Sequence, residues 1–95
     1  MAIKVIIERK AIPGNDLELN RVLMELRAKA MKVKGYISGE TLRDLDDPNT
    51  CIVISTWNTL EEWKAWEADA DRIELQKKID ALLRAPSKQR VVVYY

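Results

Sequence analysis

At 95 residues the chain has room for one hydrophobic core, so a single domain over residues 1–95 is expected. Sixteen basic against fifteen acidic side chains leave a net charge of +1, which excludes the long-range field that steers nucleic acid or an anionic membrane to a protein. The chain contains no histidine, which excludes histidine metal ligands, Ser-His or Cys-His nucleophile pairs and a histidine general base.

Residues 2–10 are rich in β-branched side chains (Ile3, Val5, Ile6 and Ile7) and read as a first strand. No secretory signal is expected there. Pro13-Gly14 breaks the strand. Asn15 and Glu18 fit a capping box, and Leu19, Val22, Leu23, Leu26, Ala30 and Val33 then recur at helical spacing. Gly35 is expected to end that helix in a left-handed conformation.

A second strand runs from Tyr36 to about Leu45. Asp46-Asp47-Pro48-Asn49 has turn composition, and Cys51–Trp57 follows as a third strand, antiparallel to the second. Thr59 and Glu62 form a second capping box and open another helix. Asp69-Ala70-Asp71 interrupts it, with Asp71 and Glu74 placed to cap a fresh start. Leu75, Ile79, Leu82 and Leu83 give the last helical segment an apolar face, and Glu74 and Lys78 are spaced as an ion pair. Pro86 stops the helix, and Arg90–Tyr95 forms a fourth strand. The longest apolar runs, Val5–Ile7 and Val91–Tyr95, are too short to span a bilayer. Cys51 has no second cysteine to pair with, and the cytoplasm is the expected location.

The order strand, helix, strand, strand, helix, strand is the split βαβ arrangement of ferredoxin-like α+β domains, with a four-stranded antiparallel sheet. Helices on one side cover only one face of such a sheet. Strand three is nevertheless apolar on both faces, with Cys51, Val53 and Trp57 on one and Ile52 and Ile54 on the other. The fourth strand behaves likewise. A sheet with one wet face should alternate apolar with polar. A second copy packed sheet to sheet is the expected cover, so a homodimer is predicted. Scattered single apolar residues on a monomer surface are the alternative.

Trp63 and Trp66 share a helix face and follow closely on Trp57. Such indoles either wall a cavity for a flat ligand or simply fill core volume. The acidic run Asp44, Asp46 and Asp47 lacks the glycine and terminal glutamate of a calcium loop and reads as a solvated turn. Cys51, among apolar strand neighbours, reads as a small buried hydrophobe. Lys34-Gly35-Tyr36 opens like an RNA-binding signature, but Ser38 and Thr41 stand where stacking aromatics are needed.

The stretch GYISGETLRDLDDPN followed by STWNTLEEWKAW resembles the central signature of the antibiotic-biosynthesis monooxygenase family. Its elements are Gly35-Tyr36, Glu40, Arg43-Asp44, Asp47-Pro48-Asn49, Trp57 and Glu61 or Glu62, in that order. The resemblance implies homodimers that form a combined α+β barrel. It also implies oxidoreductase chemistry in which an ionised, electron-rich substrate reacts with dioxygen in a shielded pocket, without metal or flavin. By resemblance Trp66 falls on a pocket tryptophan, while Gln76 replaces the iron-binding histidine of haem-degrading members. Their first-strand asparagine is replaced by Ile7 or Glu8. Haem degradation is therefore not expected.

The expected function is a cofactor-independent monooxygenase acting on a small aromatic, phenolic or quinol substrate. The alternative is a non-catalytic small-molecule-binding or stress-related homodimer. The substrate-pocket candidates are Trp63, Trp66, Gln76 and Ser55; no catalytic residue and no metal ligand are assigned.

Overall fold

A computed structural model describes residues 1–95. Along β1 (Ile3–Lys10) burial alternates strictly, so Ile3, Val5, Ile7 and Arg9 point to the interior and Lys4, Ile6, Glu8 and Lys10 to the other side. The strand is the third of four in the sheet order β2-β3-β1-β4, where β2 is Tyr36–Arg43, β3 Thr50–Trp57 and β4 Lys88–Val93. Every pairing is antiparallel. This is the ferredoxin-like α+β arrangement, and helices α1 (Asp16–Ala30), α2 (Leu60–Glu67) and α3 (Ala70–Asp80) all pack on the face lined by the odd residues of β1. None of these helices is long and apolar enough to cross a membrane.

The core divides in two along the sheet. One half joins Ile3, Val5 and Ile7 to Ala30 of α1, Trp57 of β3 and Trp63 and Trp66 of α2. The other joins Ala11 to Leu19, Val22 and Leu23 of α1 and Leu75 and Ile79 of α3, with Cys51 and Val53 packed against it. Burial pushes the Cys51 thiol up, away from reactive thiolate, which suits its packing role. Leu26 lies half-buried between the halves and touches both.

Several boundaries differ from the sequence expectation for definable reasons. The α1 helix stops at Ala30, short of Gly35, which serves the following turn instead. Gly35 has φ +94°, and a Cβ there would fall 2.5 Å from the Cβ of Glu62. Asn15 makes no side-chain cap; Glu18 instead accepts from Arg21 at 2.6 Å. The restart at α3 is real, but Asp69 caps it rather than Asp71, accepting from the amides of Asp71 and Arg72 at 2.8 and 3.3 Å. Glu74 pairs with Lys77, not Lys78, at 3.4 Å. Leu82 and Leu83 lie beyond the end of α3, and Leu83 bridges to Ala11.

The far face of the sheet carries Ile6, Ile52, Ile54, Leu42 and Val92, and no helix of the chain covers it. Val91 and Val93 point to the helix side, in register with Val5 and Ile3, yet are 41% and 51% exposed. The helices therefore do not reach over β4.

Candidate functional site

The split between the core halves leaves a cavity on the helix side of the sheet. Its empty volume is about 520 Å³ including the open mouth, and it is bounded by Leu23, Leu26, Arg27 and Ala30 of α1, by Tyr36, Gly39 and Thr41 of β2, and by the three tryptophans. Trp57, Trp63 and Trp66 are each less than 5% exposed. They belong to the packed core and also present surface to the cavity.

The ring arrangement is a chain of edge contacts. Tyr36 and Trp57 meet with centroids 5.4 Å apart at 86°, and Trp57 and Trp63 at 5.6 Å and 62°. Gly39 makes room for the first of these, because a Cβ there would come within 2.5 Å of the Tyr36 hydroxyl. At the mouth Arg27 Nη2 donates to the Gly39 carbonyl at 2.7 Å, tying α1 to β2. The Ser55 hydroxyl accepts from Trp57 Nε1 at 3.1 Å, which leaves its own proton free to donate.

Of the sequence candidates, Trp63, Trp66 and Ser55 line this cavity and Gln76 does not. Gln76 borders a second, more open cleft behind it, formed with Asp80 and the Arg84–Ser87 segment. Both ends of its amide are engaged: Oε1 accepts from Arg9 Nη2 at 3.1 Å, and Nε2 donates to Asp80 Oδ1 at 2.8 Å. Of Ile7 and Glu8, which stand in the region of the haem-degrading members' asparagine, Ile7 is buried against the cavity and Glu8 points to the other face of the sheet. No group of three or more Cys, Asp or Glu side chains comes together with the geometry of a metal site.

Arg9 and Arg72 were not singled out in the sequence, and they form the only shared wall of cavity and cleft besides Ile7. Arg9 is 1% exposed and Arg72 7%. Burial first, and then the neighbouring Arg72 charge, push the Arg9 guanidinium down to about 10, so it stays charged at neutral pH. Burial also lowers Arg72, whose guanidinium lies 5.2 Å from the ring centre of Trp63. A sequence signal for both existed. Arg9 continues the inward phase of Ile3, Val5 and Ile7, and Arg72 precedes Leu75 and Ile79 on the same stripe of α3.

Residues 2–78 match the family described as antibiotic biosynthesis monooxygenase. Protein SchA of Streptomyces halstedii is 20% identical over 91 residues, which is 96% of this chain and 24% of SchA. The chain thus spans about a quarter of the length of that curated relative. SnoaB, a cofactor-independent oxygenase from Streptomyces nogalater, superposes with a TM-score of 0.87 at 17% identity, covering 100% of this chain and 95% of SnoaB. A conserved protein from Methanosarcina mazei Go1 superposes at 0.91 with 15% identity, covering 96% and 90% of the two chains. At such identities the structural likeness establishes a shared fold.

Proposed function

Because this chain belongs to the antibiotic biosynthesis monooxygenase family, we propose that it acts, as a cytoplasmic homodimer, as a cofactor-independent monooxygenase of a small aromatic, phenolic or quinol substrate. The observation that carries this reading is the cavity walled by Trp57, Trp63 and Trp66. Flat apolar walls with few polar groups suit a planar ring and exclude water from it. Ser55, with a free hydroxyl proton, is the group placed to orient a substrate oxygen.

The reaction needs no external reductant when the substrate is a quinol. An ionised quinol gives electron density to dioxygen, a ring C–O bond forms, and loss of water leaves a hydroxyquinone. Quinol plus dioxygen equals hydroxyquinone plus water, with the ring oxidised and oxygen reduced. The quinol proton leaves to solvent, and no side chain is assigned as its acceptor. The contribution of the cavity is positioning and desolvation of the anionic ring.

The test is oxygen uptake by a naphthoquinol under ¹⁸O₂, with product mass read against a protein-free control. Faster uptake with one heavy oxygen in the hydroxyquinone is expected, and Trp66→Ala should lower it. Uptake equal to the control, with the quinol bound, would replace this reading by that of a non-catalytic small-molecule-binding dimer.

A further inference from the structure

Buried arginines are ordinarily paired, because a guanidinium withdrawn from water loses more than a lone amide contact returns. Two exposed arginines have carboxylate partners, Arg21 at 2.6 Å from Glu18 and Arg84 at 3.1 Å from Asp47. The two buried ones have none and break the rule. No carboxylate lies within salt-bridge distance of Arg9 or Arg72. Asp80 and, for Arg72, Glu67 are near enough to favour the guanidinium charges, but the one bonded link to a carboxylate runs from Arg9 through the Gln76 amide to Asp80. The Nε atoms of both arginines are buried without a hydrogen-bond partner, and so is Ser87 Oγ. All three orphaned groups border the same cleft, and the arginines also border the tryptophan cavity.

We propose that Arg9 and Arg72, with Ser87, form an anion site at the junction of the cleft and the tryptophan cavity, and that the ligand is a planar aromatic bearing an anionic oxygen. The ring lies against the indoles, and its carboxylate or phenolate oxygen completes the hydrogen bonds that the arginines lack. Guanidinium donors suit that group because charge-assisted bonds to an oxyanion are the strong ones. The inference rests on reading the cavity as a substrate pocket, and it narrows the substrate to an acidic aromatic.

Calorimetric titration of the whole protein with 2-naphthoate, 2-naphthol and the neutral 2-naphthalenemethanol tests this. Naphthoate bound at least about tenfold tighter than the alcohol at neutral pH identifies a carboxylate ligand. A tenfold advantage for naphthol that appears as the pH rises toward its ionisation and fades above about 10, where Arg9 loses its own charge, identifies a phenolate. In Arg9→Met and Arg72→Met the ratio of anion to alcohol affinity should fall toward one. Both variants should stay folded, since relief of an unpaired buried charge offsets the loss of the Arg9–Gln76 bond or of the Arg72–Trp63 contact.

Equal binding of all three compounds by the unmodified protein overturns the proposal, whether or not a variant folds. A preference for the anion that survives in both variants overturns it too. Tight naphthoate binding without oxygen uptake by quinols would leave the anion site standing and defeat only the oxygenase reading. Quinol turnover with no anion preference would do the reverse.

Discussion

At Gly39 the absence of one methyl group shapes the mouth of the cavity. A Cβ there would lie 2.5 Å from the Tyr36 hydroxyl but 3.5 Å from its Cζ, so the conflict is with a single oxygen. The Tyr36 ring cannot swing freely, because its edge contact with Trp57 fixes it. Gly39→Ala should therefore destabilise by about 1–3 kcal/mol through overpacking. Adding Tyr36→Phe should recover most of that loss, a coupling that denaturant unfolding of the four proteins would reveal. Equal costs of Gly39→Ala in both backgrounds would show that the crowding lies elsewhere. The aromatic half of this site was legible in the sequence, since indoles spaced along one helix face have few places to go. Its charged half was not. Arg9 and Arg72 become conspicuous only when they are set in phase with Ile7 and Leu75, because composition counts an arginine as surface by default.

The three helix starts differ in how their first turn is closed. Thr59 has extended backbone, accepts from the Glu62 amide at 3.1 Å and donates to its carboxylate at 2.9 Å. Asp69 is also extended and holds two amides of α3. Asn15 has φ −100° and ψ 5°, outside the extended region from which a cap reaches back, and its side chain closes nothing. Thr59→Ala and Asp69→Ala should each cost about 1 kcal/mol, or about 4–8 °C in melting temperature for a domain of this size. Asn15→Ala should stay within about 0.5 kcal/mol. Thermal melts showing an equal loss at Asn15 would contradict this ranking. The strands show the same limit of pattern reading. β4 opens with Lys88, Gln89 and Arg90 and is apolar on both sides only from Val91 on, so alternation could not fix its ends; they are set by pairing with β1, from Glu8 opposite Lys88 to Ile3 opposite Val93. Tyr94 and Tyr95 fall outside the strand because Ile3 is the first residue of β1.

For the molecule as a whole, the uncovered sheet face is the feature that most constrains behaviour in solution. Ile6 and Ile54 are direct cross-strand partners at its centre, Ile52 pairs with Leu42 beside them, and Lys4, Glu8, Glu40 and Arg90 surround the group. An apolar centre within a charged rim is the anatomy of a protein interface. A chain this small also buries too little surface alone to be more than modestly stable, so covering this face by a second copy would add directly to its stability. Light scattering behind a sizing column should accordingly report about twice the 11.0 kDa chain mass. The melting temperature should rise with protein concentration, as it does when folding and association are linked. Ile54→Arg sets an unpaired charge at the centre of the face without entering the helix-side core, so it should give a folded monomer with an intact circular dichroism spectrum. A native chain that runs as a monomer at micromolar concentration, with a concentration-independent melt, would mean that these isoleucines are merely tolerated at a solvated surface and that each chain carries its cavity alone.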